Sequence, residues 1–202
     1  MDQGLPLVVP EFRPVGWSHE GKLAWIEVTH IEGRGGDDIT YLIFDAVEDV
    51  VVWLLIDNNS WEEAKHESAL EISWKRTRSE FLTQLVAHNI ERQDGMEIRP
   101  FPIIASGGTY HGEVHIAEET EPKFYDTVGS YFVTVAREGH GSKRVTSVED
   151  VTALGVHVVG YIQSPFESLI AVVVAEEIAG WEGPPNRIDL LMYGCNLTVG
   201  FR

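Results

Sequence analysis

The feature that most constrains this chain is the alternation of short apolar, β-branched bursts with turn residues near both of its ends. Between Phe12 and Asp57, apolar bursts occupy residues 23–28, 39–45 and 50–56, and Gly, Ser, Asp and Glu separate them. Bursts of this length, bounded by turn chemistry, are typical of antiparallel strands. The segment therefore predicts three or four strands joined by tight turns.

The same order of strands and turns returns near the C-terminal end. Val15-Gly16-Trp17 matches Val159-Gly160-Tyr161, and residues 23–28 match residues 169–174. The loops and final strands also correspond, at 33–38 with 180–185 and at 50–53 with 197–201. The matches predict an internal repeat with units at about 12–57 and 156–202, in which each copy covers the other's apolar face or a shared helix. The alternative is a chance similarity between two β-meanders.

A long helix is predicted between the two repeat units, over about residues 60–92. Ser60-Trp61-Glu62-Glu63 has the pattern of a capping box, and Asp94-Gly95 offers a C-terminal stop with a break near 75–78 as an option. The apolar residues that follow the cap recur at helical spacing: Leu70, Trp74, Phe81, Leu82, Leu85, Val86 and Ile90. One face of this helix must therefore be buried.

Further strands are predicted between about residues 97 and 148. Pro100 and Pro102 make the first of them an edge strand or an extended approach to the sheet, because proline cannot donate a hydrogen bond to a ladder. Since no low-complexity linker interrupts the chain, residues 1–202 are predicted to form a single domain. The fold class is mainly β with one long helix (α+β), as two pseudo-repeated antiparallel sheets resembling propeller blades, packed around a central helix.

Charge and composition exclude several classes of partner. Lys and Arg number 15 against 32 Asp and Glu, a net charge of −17, which repels nucleic acid and anionic lipid. Cys195 has no second cysteine to pair with, and no stretch approaches the roughly 18 apolar residues of a membrane helix. No transmembrane segment and no signal peptide are therefore predicted in the chain as given.

A divalent metal site is one candidate for function. His111, Glu113 and His115 alternate along a predicted strand, so that they share a face and present imidazole, carboxylate and imidazole together. The alternative is a solvated polar strand face. No other cofactor is expected.

The two matched loops are the other candidate site. If the repeat holds, the loops lie at the same end of the two sheets and flank a groove, with glycines that allow close backbone approach. The residues that would contact a ligand there are Arg34, Asp37, Asp38, Trp181 and Asn186. The alternative is that both loops only connect strands.

Two groups of residues resemble a known family. Val15-Gly16-Trp17-Ser18 with Phe44-Asp45, and Ser164-Pro165-Phe166-Glu167 with Gly194-Cys195, are similar to bacterial predicted secreted proteins of a family of unknown function. The turn 18–21 also resembles that of a WD40-like or TolB-like β-propeller blade. The resemblance implies an extracytoplasmic location, and the lack of a predicted signal peptide in the chain as given leaves the cytoplasm as the alternative. It carries over no functional residues.

The sequence as a whole favours a non-catalytic binding or assembly module whose partner is a protein or a small ligand. Two or three blades are too few to close a propeller, so exposed sheet edges could pair in a homodimer. The alternative function is a metal-binding protein or metal-assisted hydrolase centred on His111, Glu113 and His115.

Overall fold

A computed structural model describes residues 7–31, 35–60, 67–105, 107–119, 128–180 and 185–202. These residues form a mainly β protein with one helix and three sheets. The strands are β1 (Leu7–Val8), β2 (Glu11–Trp17), β3 (Lys22–Ile31), β4 (Gly36–Asp45), β5 (Val50–Ser60), β6 (Glu91–Arg92), β7 (Ile103–Ala105), β8 (Gly108–Glu119), β9 (Val128–Arg137), β10 (Gly141–Val148), β11 (Gly155–Gln163), β12 (Leu169–Ile178) and β13 (Asn186–Asn196), and the helix is α1 (Ala69–Ala87).

The chain divides into two compact units. The helical unit consists of the described residues of Pro10–Glu97 and Ser164–Glu167, and the all-β unit of those of Met1–Val9, Ile98–Gln163 and Ser168–Arg202. Propeller-like packing of two sheets around the helix stays a prediction, as does the internal repeat. In the part of the chain that is described, α1 is too polar to cross a membrane.

The helical unit is one antiparallel sheet with α1 packed on one of its faces. The sheet has the order β5-β4-β3-β2-β6, and the ladder between β3 and β4 runs unbroken from Lys22–Asp45 to Ile31–Gly36. Residues at alternate positions of β3 and β4 share a cluster with the buried residues of α1. That cluster contains Ala24, Ile26, Ile39, Tyr41, Ile43, Ala69, Phe81, Leu85 and Ile90.

The helix begins at Ala69 rather than near Ser60. Ser60 ends β5 and pairs with Gly36 across the ladder, so its backbone is already committed to the sheet. The capping box is formed instead by Ser68 and Glu71: the Ser68 hydroxyl accepts from the Glu71 amide (3.2 Å), and the Glu71 carboxylate accepts from the Ser68 amide (3.1 Å). Both segments carry the same pattern, and strand pairing decides which one caps the helix.

The helix is continuous through residues 75–78 and ends at Ala87, before the predicted stop at Gly95. Asn89 takes a positive φ of 55°, and the Ile90 amide donates to the Leu85 carbonyl (2.8 Å). This is a Schellman ending with asparagine in the left-handed position that glycine usually takes.

The buried face of α1 differs from the predicted apolar stripe. Phe81 and Leu85 are buried, whereas Leu82 and Val86 are exposed, Val86 at 78%. The rest of the buried face is small: Ala69, Ser73 and Thr77. Small side chains let the first half of α1 approach the sheet closely, where the Ser73 hydroxyl hydrogen-bonds the Tyr41 hydroxyl (2.9 Å).

The all-β unit contains two four-stranded sheets with one apolar core. Their orders are β1-β13-β12-β11 and β10-β9-β8-β7, and all pairs are antiparallel except β1 with β13. Side chains of both sheets meet in the core, among them Tyr131 and Val133 of β9 and Val172 and Val174 of β12. Residues 197–201, predicted to form a final strand, are not part of a strand and contain a turn in which the Asn196 side chain accepts from the Thr198 amide (2.8 Å).

Two glycines sit beside bulges at positions that the sequence matched. The ladder shifts register between Pro14 and Gly16 in β2, and between Val158 and Gly160 in β11. A Cβ atom on Gly16 would lie 2.7 Å from the Glu91 carbonyl carbon, and one on Gly160 would lie 2.8 Å from that of Arg99. At each position, glycine allows the main chain of another segment to come this close, because a side chain of any other residue would clash with it.

Candidate functional site

The strand β5 forms a long open edge of the helical unit. It extends over 11 residues and, among the described strands, pairs with β4 alone. In an antiparallel pair, every second residue of an edge strand directs its N–H and C=O away from its neighbour. The outer side of β5 therefore presents a row of main-chain donors and acceptors.

The face of β5 away from the helix is an apolar row. Val51, Leu54 and Ile56 expose 53%, 50% and 51% of their surface. They lie beside Phe44, Leu42 and Thr40 of β4, so the row continues a mainly apolar sheet surface. Side chains of this kind gain on the order of 1 kcal/mol each when the remaining half of their surface is covered.

The opposite face of β5 is held rigidly by α1. Trp53 stacks on Phe81, with ring centroids 5.8 Å apart. Near the end of the strand, Arg76 donates to the Asp57 carboxylate through Nη2 (2.9 Å) and Nε (3.2 Å) and also to the Asn59 side chain. One face of the strand is thus fixed by the helix, and no described strand pairs with its outer edge.

Two other outer strands, β10 and β11, carry charge or cover on their outer side, whereas residues 50–56 of β5 carry neither among the described residues. On β11, Tyr161 exchanges two backbone hydrogen bonds with Arg99 (2.8 and 2.9 Å). On β10, the edge carries Lys143 and Arg144, and Ser142 pairs with Arg202. Natural sheets blunt their edges with charge or cover of this kind. The seven residues at 50–56 of β5 contain no charge and no proline.

The predicted loop site is divided between the two units. Asp37 and Asp38 belong to β4 in the helical unit, Asn186 begins β13 in the all-β unit, and Arg34 and Trp181 lie outside the described residues. Asp38 accepts from the Asn58 amide (2.6 Å), and Asp37 contacts His30 (3.0 Å). Both carboxylates are engaged within the sheet.

The side chain of Asn186 forms its hydrogen bonds with nearby residues of the same unit. It is 4% exposed, its amide donates to Glu177 (2.6 Å), and its oxygen accepts from the Gly180 amide (3.5 Å). Its polar atoms are satisfied inside the chain, which supports the connecting-loop alternative at this residue.

The three residues of the predicted metal site lie on β8 as expected, but the two histidines contact different neighbours. His111 contacts Glu138 (3.1 Å), and His115 contacts Thr134 (2.9 Å) and lies 3.8 Å from Glu113. Residues four apart on a strand are separated by about 13 Å. No group of three or more His, Cys, Asp or Glu side chains arranged for a metal ion occurs in the ranges that the structure describes.

His115 is also part of a stacked surface group. Its ring lies parallel to that of Phe132 on β9, with centroids 4.7 Å apart, and Arg144 of β10 lies 4.2 Å from the same ring. Because β8 and β10 flank β9, the three side chains cover one another across the sheet. This arrangement supports the polar strand face that was the alternative to a metal site, and metal binding stays a prediction.

Two buried acidic groups of the all-β unit resist ionisation. Burial raises the pKa of the Cys195 thiol to about 11. Burial and hydrogen bonds to Tyr193 (3.3 Å) and Glu176 (2.8 Å) raise the pKa of the Tyr131 hydroxyl. Since the thiolate is the reactive form of cysteine, Cys195 is a poor nucleophile at neutral pH.

The all-β unit is therefore expected to lose stability in alkali. The Cys195 thiol keeps its proton to a higher pH when folded than when unfolded, so its contribution is complete below about pH 9 and is lost as the pH rises toward 11. The loss amounts to on the order of 2 kcal/mol at pH 11. Urea unfolding at several pH values measures it, and Cys195→Ala should show a shallower decline. Fast alkylation of the folded thiol near neutral pH would contradict the prediction.

A comparison of the chain with protein-family models, with curated proteins and with solved structures found no significant match. The resemblance to predicted secreted proteins therefore stays a hypothesis carried by the quoted residues.

Sequence reasoning identified residues 50–56 as a strand but not as a site. An unbroken apolar run is typical of a strand buried on both faces, and nothing local distinguishes it from an exposed edge. The available signal was the combination of that run with acidic residues at both ends and no protecting lysine or proline.

Proposed function

We propose that this protein is a non-catalytic binding module that holds an extended polypeptide segment by strand addition along β5. The observation that carries the proposal is an 11-residue edge strand whose outer backbone pairs with no described strand and whose central residues are apolar and uncharged. In strand addition, main-chain hydrogen bonds supply affinity and alternate side chains supply specificity. The side chains that would supply specificity are those of Val51, Leu54 and Ile56.

The rigidity of β5 supports this function. An edge strand that is already ordered loses little conformational entropy when a second strand joins it. The stack of Trp53 on Phe81 and the hydrogen bonds of Arg76 to Asp57 fix the strand in its extended form.

The internal repeat, if it holds, supports the same use of this edge. In the all-β unit, β11, β12 and β13 take the places of β2, β3 and β4, and the outer side of β13 is paired with β1. Beside β13, the position that β5 holds beside β4 is occupied over two residues only, where Leu7 and Val8 of β1 pair in parallel with Asn186 and Arg187.

The proposal is tested by a variant that blocks the β5 edge. A short, uncharged peptide of alternating valine and threonine should bind and protect amides of β5 from hydrogen exchange. Leu54→Lys places a charge in the apolar row and should weaken this binding about tenfold or more, because it removes an apolar contact and buries an unpaired charge. Val86→Lys is the matched control, since Val86 lies on the exposed face of α1 in the same unit.

The result that would overturn the proposal is equally specific. If the peptide protects no amide of β5, or if Leu54→Lys and Val86→Lys bind it with the affinity of the unaltered chain, β5 is not a docking edge.

A further inference from the structure

Resting on the proposed function, we infer that the segment bound along β5 is a short, regular strand of another protein that pairs with residues 53–58 only. It carries apolar side chains at two positions two residues apart, beside Leu54 and Ile56. The length and the pattern both follow from a bulge that divides the edge of β5.

The regular alternation of β5 is broken once among its described pairs, at Val52. Ile43 of β4 pairs with Trp53, and the next residue, Phe44, pairs with Val51, so that Val52 is left over. Val52 and Trp53 are consecutive, yet both pack against the core cluster beneath α1. In a regular strand they would point to opposite faces. Val52 is therefore the extra residue of a β-bulge, which bends the strand and increases its twist.

The bulge divides the outer edge of β5 into two parts. From Trp53 onward the ladder with β4 is regular as far as Ser60. Along a regular edge, the outward N–H and C=O groups recur at every second residue, and an extra residue shifts this alternation by one. A strand without a bulge of its own can therefore follow the edge on one side of Val52 only. The longer side begins at Trp53.

The side chains of residues 53–58 set what the bound segment must carry. Leu54 and Ile56 expose 50% and 51% of their surface on the face away from α1, and Asn58 follows them on that face. On the opposite face, Trp53 and Leu55 are half-buried against the core cluster. The segment thus needs apolar side chains beside Leu54 and Ile56, because cross-strand neighbours on one face contact each other.

Val51 lies beyond the paired part of the edge. It shares the outer face with Leu54 and exposes 53% of its surface, but the bulge separates the two residues. A regular strand places its side chains on one face at every second residue, whereas Val51 and Leu54 are three residues apart. Val51 therefore meets only the end of the bound segment.

A second copy of this chain offers the same residues 53–58, but charge opposes its approach. Each chain carries a net charge of −17, and two such chains repel each other. A segment of a different protein does not carry this penalty, and we assign the edge to it.

The first experiment compares two uncharged peptides of alternating valine and threonine, one of six residues and one of ten. The longer peptide should bind no more than about threefold more tightly, because its extra residues reach past the bulge and find no regular ladder. Both peptides should protect amides within residues 53–59 from hydrogen exchange. No added protection is expected at Val50 and Val51.

The second experiment compares two matched variants, Ile56→Thr and Val51→Thr. The two side chains have nearly equal exposure, 51% and 53%, and lie on the same face of β5 on opposite sides of the bulge. Threonine keeps the β-branched shape that suits a strand. Ile56→Thr should weaken binding of the six-residue peptide about fivefold, and Val51→Thr less than about twofold.

The other outcomes separate this inference from the proposed function. Added protection at Val50 and Val51, a tenfold gain for the longer peptide, or equal losses in the two variants would overturn the inference and leave strand addition standing. Binding of neither peptide by a monomeric chain would overturn both. A dimer in light scattering that Leu54→Lys converts to monomers would assign the edge to a second copy and overturn the inference.

Discussion

Replacing Gly16 by alanine is expected to lower the free energy of unfolding of the helical unit by about 3 kcal/mol or more. A Cβ atom at this position would lie 2.7 Å from the carbonyl carbon of Glu91 and 3.0 Å from the Cα of Arg92. Both are main-chain atoms of β6, so the clash cannot be relieved by a side-chain rotation. The strand β6 must move away from β2, and the hydrogen bond from the Gln93 amide to the Val15 carbonyl (3.0 Å) is strained with it.

The measurement is urea unfolding followed by circular dichroism at the helical band, because α1 is the helix among the described elements and belongs to the unit that contains Gly16. Gly95→Ala is the matched control. Gly95 has a φ of +72°, and a Cβ atom added there would meet nothing within 4 Å beyond its chain neighbours. Its replacement therefore costs conformational strain of about 1 kcal/mol without a clash. Equal losses in the two variants would show that close approach at Gly16 is not what requires glycine.

Replacing Phe81 by alanine is expected to destabilise the helical unit by about 3–5 kcal/mol. Phe81 is fully buried and contacts three aromatic side chains, with ring centroids 5.1 Å from Tyr41, 5.8 Å from Trp53 and 6.3 Å from Trp74. Alanine would leave a cavity between α1 and the sheet that these three large rings cannot fill without moving.

Two further variants, compared with Phe81→Ala, show which face of α1 is buried against the sheet. Val86→Ala should change stability by no more than about 0.5 kcal/mol, because Val86 is exposed. Phe81→Leu should cost less than half of the Phe81→Ala loss, since leucine fills most of the space. A large loss in Val86→Ala with a small one in Phe81→Ala would mean that the helix buries the opposite stripe. Urea unfolding at the helical band measures all three.

Loss of Phe81 also bears on the proposed site. Phe81 supports Trp53 from the side of β5 opposite the apolar row. Under the proposed function, α1 keeps β5 extended and the outer edge of β5 binds the added strand. The same open edge exposes the protein to unwanted pairing, which its large negative charge counteracts.

Much of the candidate site could be predicted from the sequence, but its significance could not. Residues 50–56 were predicted as a strand because seven consecutive apolar residues are bounded by acidic and polar ones. The predicted binding site lay instead at the two matched loops, since glycines and charges in loops are common in binding sites. The structure engages Asp38 and Asn186 in hydrogen bonds of their own, and it places β5 at the rim of its sheet.

By itself, the sequence determined where several of the strands form and that one helix follows β5. The apolar bursts at 23–28 and 39–45 lie within β3 and β4, and a capping box starts the helix, because alternation and capping are local properties of a few neighbouring residues. Tertiary structure decided which of two capping boxes was used, which stripe of α1 was buried, and that β5 lies at an edge. Those outcomes depend on which strand pairs with which and on what packs against each face, and such contacts join residues far apart in the chain.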